Sequence, residues 1–402
     1  MGRQAETSGK VAVILAPDDQ GLVEVFDVPA VRRLALLARQ IDLEVHVVGQ
    51  VTAIRPVLSG LVPAERFHPV DHPESLNQAV ERLPMYNRQQ ILVLKANYVV
   101  DQGSLARLMD VWDLAGSYFM ETKEHTGEGL YLVPYPSLVP ILRRLWSSSL
   151  PLAMPGEIHS VEGTDGLPYV LEGREAARVA EERLMRAQAA QTEKNDGFLA
   201  RHLSRRISRP ISERLAHTSA TPNQVTMGGV VIGMTGAAFF SRPGYWSHVI
   251  GSLFFLFCII VDGVDGEIAR LKLQETLFGQ RLDVITDNLV HVAIFTGIAL
   301  GLYHDSGNPA YFWILLVLIG GFGLCGIAVY QCMSRRSPEE LRSSGSTLRI
   351  IDMMNNRDFA YLLVALALVQ RLQWFLVGAA IGTYLFALVL WTANHLEKRA
   401  RR

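Results

Sequence analysis

Between Val261 and Asn288 the chain reads VDGVDGEIARLKLQETLFGQRLDVITDN, and four aspartates in it stand at spacings that suit metal chemistry. Asp262 and Asp265 are three apart and Asp283 and Asp287 four apart, so on helices each pair shares one face. Four carboxylates gathered at one point repel one another and resist desolvation, and a hard divalent cation relieves both costs. Oxygen-only ligands favour Mg²⁺, Mn²⁺ or Ca²⁺ over zinc, and the motif holds no His or Cys. Gly266 and Gly279 lack side chains, which would let a phosphate or nucleotide approach the backbone. Arg270 carries the forked, permanent charge suited to phosphate oxygens. A plainer reading has the aspartates capping helices and pairing with Arg270, Lys272 and Arg281. That explains one or two of them, not four beside two glycines.

The elements that must position these carboxylates are apolar. About 20 apolar residues cross a hydrocarbon core of about 30 Å as a helix. Six candidates follow Ala220: 223–241, 245–262, 283–303, 309–333, 358–370 and 372–394. The first aspartate pair ends the second span and the second pair opens the third, so two neighbouring helices present all four at one membrane edge. The C-terminal dipole of one helix attracts cations, and the N-terminal dipole of the next stabilises Asp283 and Asp287 as anions. The fifth candidate is short, but fusing it with the sixth would strand Arg371 near mid-bilayer. Arg201, Arg205, Arg206, Arg209, Arg214, Arg270, Lys272, Arg281 and the arginines of 334–357 fall on one side, with the basic C-terminal tail. The other side holds only Arg242 and Arg371. This asymmetry predicts an integral protein of the cytoplasmic membrane, with both termini and the active site facing the cytoplasm.

Before the first span, within 196–220, Phe198, Leu199, Leu203, Ile207, Ile211 and Leu215 recur at helical spacing with arginines between them. This suits an interfacial helix with its apolar stripe in acyl chains. The alternative is a soluble helix packed on the N-terminal domain. Loop 334–357 offers Arg349 and Arg357 to a phosphate on an acceptor, or simply to topology and lipid headgroups.

Residues 1–195 alternate differently. KVAVILA reads as a strand, VPAVRRLALLARQIDL as a helix, EVHVVG and QQILVLKANYVV as strands, and SLARLMDVWDLAG as a helix. That order predicts an α/β domain with a mainly parallel sheet. A chain of 402 residues thus holds a soluble domain ahead of a membrane domain. Its net charge of −1 gives no reason to expect nucleic-acid binding. Cys258, Cys325 and Cys332 have no metal-ligand spacing and read as apolar packers.

The pattern D-x2-D-G-x2-A-R-x8-G-x3-D-x3-D resembles the signature of the CDP-alcohol phosphotransferases, also called CDP-alcohol phosphatidyltransferases. TPNQVT, from Thr221 to Thr226, resembles the start of their first span, and with NRDF, from Asn356 to Phe359, points toward the inositol-phosphate-using branch. The resemblance covers about 196–402 and implies six transmembrane helices. It implies Asp262, Asp265, Asp283 and Asp287 at a Mg²⁺ or Mn²⁺ site of one or two ions, with Asp287 also the general base. Gly266, Ala269, Arg270 and Gly279, with Thr221 and Asn223, would bind CDP. The donor would be CDP-diacylglycerol or CDP-inositol, the acceptor an alcohol or inositol phosphate, the product CMP, and the assembly a homodimer in the bilayer.

Residues 1–195 resemble a nucleotidyltransferase fold, a domain fused ahead of the membrane enzyme in bifunctional inositol-phosphate cytidylyltransferases. The chain departs from that pattern where chemistry would need it. Ala16-Pro17-Asp18-Asp19-Gln20-Gly21 is no glycine-rich phosphate loop, and Leu94-Lys95-Ala96-Asn97 lacks a metal-binding Asp. An inactive domain is expected, with Asp101 and Asp165 as weak alternative carboxylates. A membrane-anchored scaffold, whose soluble domain binds a partner, is the competing reading, and an anchor has no need of the aspartates. Transport fits less well, because the motif sits at one membrane edge.

Overall fold

The computed structural model describes residues 10–83, 90–114, 116–122, 128–147, 157–164, 166–192, 203–333 and 358–400. They form two compact units that part between Gln191 and Thr192.

The first unit is built on seven strands: β1 (Val11–Ala16), β2 (Glu44–Gly49), β3 (Phe67–Pro69), β4 (Ile91–Lys95), β5 (Ser117–Glu121), β6 (Gly129–Val133) and β7 (Ile158–Ser160). Their order across the sheet is β7-β5-β6-β4-β1-β2-β3. Strand β1 is apolar throughout and every residue is buried, as a central strand covered on both faces requires. Pairings β1·β2, β1·β4, β2·β3 and β5·β7 are parallel, whereas β6 runs antiparallel to β4 and β5. The sheet is therefore mixed rather than uniformly parallel.

Helices α1 (Ala30–Gln40), α2 (Val51–Val57), α3 (Leu76–Glu81), α4 (Gln102–Asp110), α5 (Leu138–Ser147) and α6 (Arg174–Thr192) complete this unit. Leu34, Leu76 and Leu142 pack with Ile14, Leu92 and Tyr131 of the sheet in one core. Asp101 is the N-cap of α4. It accepts from the backbone N–H groups of Gly103 and Ser104 and from the Thr164 hydroxyl at 2.6 Å, so its oxygens serve the helix end.

Strand order reverses at β1 and β4, and ligands of open α/β sheets bind beyond the carboxyl ends of such a pair. Here the turn Gln20–Leu22 packs directly on the residues that follow β4. A Cβ at Gly21 would stand 2.7 Å from the Cβ of Ala96. The buried Asn97 side chain donates to the Leu171 carbonyl at 3.0 Å, and Lys95 lies 3.7 Å from Glu128.

The second unit begins with α7 (Arg205–Ala216) and continues with α8 (Pro222–Phe240), α9 (Tyr245–Leu271), α10 (Leu277–Ser306), α11 (Ala310–Met333), α12 (Phe359–Leu368) and α13 (Leu372–Ala400). Helices thus occupy all six apolar positions, but among the described residues four stretches have the length and hydropathy of a span: Tyr245–Leu271, Leu277–Ser306, Ala310–Cys332 and Leu372–Leu396. Helix α8 has 19 residues, yet it opens on Pro222, Asn223 and Gln224 and is rich in glycine. Helix α12 has ten residues and is only ~15 Å long.

Packing in this unit relies on small residues that let backbones approach. At Gly301 of α10 a Cβ would lie 2.0 Å from the Phe240 carbonyl oxygen. Phe240, Phe255, Ile294, Ile298, Leu363 and Leu376 fill the core between helices.

Candidate metal and nucleotide site

Helix α9 runs unbroken through Asp262, Asp265 and Arg270 before it ends at Leu271. Helix α10 starts six residues later with Thr276 as N-cap, its hydroxyl accepting from the Gly279 N–H at 2.9 Å. The start of α10 is thereby fixed and carries Asp283 and Asp287 on its second and third turns.

Carboxylate oxygens of Asp262, Asp265 and Asp283 all lie within 4.8 Å of one another. Oxygens on opposite sides of a hard cation stand about 4–5 Å apart, given bond lengths of about 2.0–2.6 Å. The trio therefore fits one divalent ion held by oxygen alone. Asp265 is buried, while Asp262 and Asp283 are half-buried. Asp287 stands one turn beyond Asp283, half-buried and not among the three. Its carbonyl oxygen is 2.6 Å from Nδ1 of His291.

A cavity of about 220 Å³ opens beside the trio. Asp265, Gly266, Ala269 and Arg270 of α9 line it with Gly279 and Asp283 of α10, and Pro222, Asn223 and Thr226 come from the first turns of α8. Of the residues expected to bind CDP, five line this cavity. Thr221 does not. It is exposed and closes a capping box with Gln224, which fixes the start of α8.

Both glycines give room first to the protein's own groups. A Cβ at Gly266 would meet Nη1 of Arg270 at 3.4 Å, and one at Gly279 would meet Asn223 Oδ1 and Thr276 Oγ1 at 3.1 Å. The Arg270 guanidinium thus lies along the cavity wall, and its buried Nε has no hydrogen-bond partner among the described residues. Arg349, Arg357 and the first half of NRDF lie outside the described residues, as do residues 196–202 of the interfacial segment.

Two features escaped the sequence reading. Thr226 lies 39 residues before Asp265, yet its hydroxyl reaches that carboxylate at 2.5 Å. Gln274, Glu275 and Gln280 add polar side chains to the wall. Only the TPNQVT resemblance hinted at Thr226, and no spacing rule singles out the others.

Residues 219–397 match the family model described as CDP-alcohol phosphatidyltransferase. The chain is 36% identical over 128 residues to a bifunctional IPC transferase and DIPP synthase of Aquifex aeolicus, a stretch covering 31% of this chain and 28% of that protein. It spans about a third of the length of the curated relatives it matches first, 28–39%. Two solved structures of the Mycobacterium tuberculosis phosphatidylinositol phosphate synthase are also similar. The one with manganese and citrate is 19% identical, covering 46% of this chain and 88% of that one with a TM-score of 0.33. The one with CDP-DAG bound is 19% identical, covering 48% and 91% with a TM-score of 0.31.

Proposed function

We propose, from the match of residues 219–397 to the CDP-alcohol phosphatidyltransferase family model, that the protein transfers a phosphoalcohol from a CDP-alcohol to an alcohol acceptor with release of CMP. The observation that carries this reading is the meeting of Asp262, Asp265 and Asp283 beside a cavity walled by Arg270.

A divalent ion, Mg²⁺ or Mn²⁺, would be held by the three carboxylates and would supply neutralisation of the donor diphosphate. The remaining work falls to the chain itself. Arg270, with its unsatisfied Nε, binds diphosphate oxygens on the cavity wall. Asp287, one turn along α10, takes the proton of the acceptor hydroxyl. The acceptor oxygen then forms its bond to phosphorus as the bond to CMP breaks, and CMP leaves with that electron pair.

An inositol phosphate is the proposed acceptor, because the curated relatives include phosphatidylinositol phosphate synthases. CDP-diacylglycerol and CDP-inositol are the two donors to be separated. Six membrane-crossing helices, cytoplasmic termini and active site, and a homodimer complete the proposal. The positive-inside pattern and the helices at all six positions support its topology. Residues 1–195 act as an inert nucleotidyltransferase-like domain, a reading supported by the turn packed on Ala96.

The test is CMP release by the full-length protein with Mn²⁺. Each donor is supplied separately with inositol phosphate, and Asp287→Asn serves as control. Release from one donor, lost in the variant, identifies the substrate; release unchanged in Asp287→Asn would refute its role as base.

A further inference from the structure

Glu267 lies inside the aspartate motif yet points away from the metal site. Two residues on from Asp265, it is about 200° around α9 from that carboxylate. Its side chain is 8% exposed, and three side chains of α7 converge on it. The Arg205 guanidinium and the Ser212 hydroxyl donate to its two oxygens, and the Ser208 hydroxyl adds a bond of 3.1 Å. Arg205 is itself only 15% exposed.

The face that α7 buries is a stripe of small residues, distinct from its apolar one. Ser208, Ser212 and Ala216, four apart, are its buried residues, whereas Leu203 and Ile207 are 48% and 45% exposed. Just before α7, the Ser204 hydroxyl is 2.7 Å from the Tyr361 hydroxyl of α12. A stripe of small residues thus docks this segment on the unit and leaves Leu203 and Ile207 outward, as an interfacial helix requires.

A buried carboxylate is tolerated when its charge and lone pairs are met by partners of good geometry, and removing them leaves it uncompensated. Glu267 is satisfied by α7 at one height and one rotation. Because α9 is continuous, the rotation fixed at Glu267 is the rotation of Asp262 and Asp265 on its opposite side. Supporting groups behind metal ligands commonly govern metal affinity in this way.

We propose that Glu267 is a positioning residue, through which α7 sets the placement of Asp262 and Asp265 relative to Asp283. This rests on the metal-dependent reading above.

The test measures Mn²⁺ binding by electron paramagnetic resonance on the full-length protein. Its variants are Glu267→Ala, Glu267→Gln and the pair Ser208→Ala with Ser212→Ala, and Leu376→Ala in the helical core is the control. Glu267→Ala and the serine pair should each weaken Mn²⁺ binding about 10–100-fold, and combining them should add little. Glu267→Gln should fall between, since its amide oxygen still accepts from a serine. Leu376→Ala should lower thermal stability and leave Mn²⁺ affinity unchanged. Should Glu267→Ala fail to fold, the glutamine variant and the serine pair decide. Wild-type affinity in these variants, beside a wild type that binds Mn²⁺, would overturn the positioning role alone. A wild type that binds no Mn²⁺ would overturn the metal-dependent reading as well.

Discussion

The hydroxyl of Thr226 lies 2.5 Å from Oδ2 of Asp265 and ties the first turns of α8 to the buried carboxylate of α9. That bond orients one carboxylate oxygen and leaves the other to the site. Thr226→Val keeps the shape and removes the donor, and a hydrogen bond to a charged group contributes about 1.5–3 kcal/mol. CMP turnover should fall about 10-fold or more, whereas Thr226→Ser should retain most of it. Equal activity in the valine and serine variants would remove Thr226 from the site.

Helix packing can be tested at Gly301. An added Cβ would meet the Phe240 carbonyl at 2.0 Å and His248 Nε2 at 2.6 Å, so α8 must move to admit it. Gly301→Ala should destabilise the protein by about 1–3 kcal/mol, seen as a lower Tm in detergent. Gly378→Ala has nothing within 4 Å and should leave Tm unchanged or slightly raised. A Gly301→Ala protein as stable as wild type would contradict the close approach of α8 and α10.

His46 on β2 makes the first unit sensitive to acid. Burial pushes its pKa from the ordinary 6.5 down to about 4, against the attraction of Glu44 and with added repulsion from His68 and Arg66. Its Nδ1 is 3.2 Å from His68 and its Nε2 3.3 Å from Glu44. Between those values the unfolded chain binds a proton that the folded chain does not, so stability falls as pH drops from 6.5 toward 4. Burial lowers His68 as well, which acts in the same direction. Hydrogen exchange of Glu44–Gly49 should show protection declining across that window. His46→Gln should flatten the dependence; an unchanged slope would assign it to other groups.

Much of this was legible in the residues themselves. The four aspartates announced a metal site because carboxylates at three- and four-residue spacing share a helix face, and three of them do meet. Helices stand at each of the six apolar runs, and among the described residues four are long and apolar enough to cross a bilayer. What escaped was tertiary. Nothing in the spacing says that Thr226 reaches Asp265, or that α7 supplies the partners of Glu267. The stripe with Leu203 and Ile207 was expected in acyl chains and does face outward, but nothing marked Ser208 and Ser212 as the face that packs. In the first unit, β6 reads like its neighbours, and its antiparallel direction follows from pairing with both β5, just before it, and β4.

The measurement that bears most directly on the metal-dependent transfer is CMP release with the bound cation first stripped by chelator and then replaced by Mn²⁺. Wild-type protein should fall silent and recover. Asp283→Asn should stay at least about 100-fold below it at any Mn²⁺ concentration, since it lacks one of three charged ligands. Turnover that survives the chelator, or an Asp283→Asn protein that recovers fully, would contradict the three-carboxylate centre.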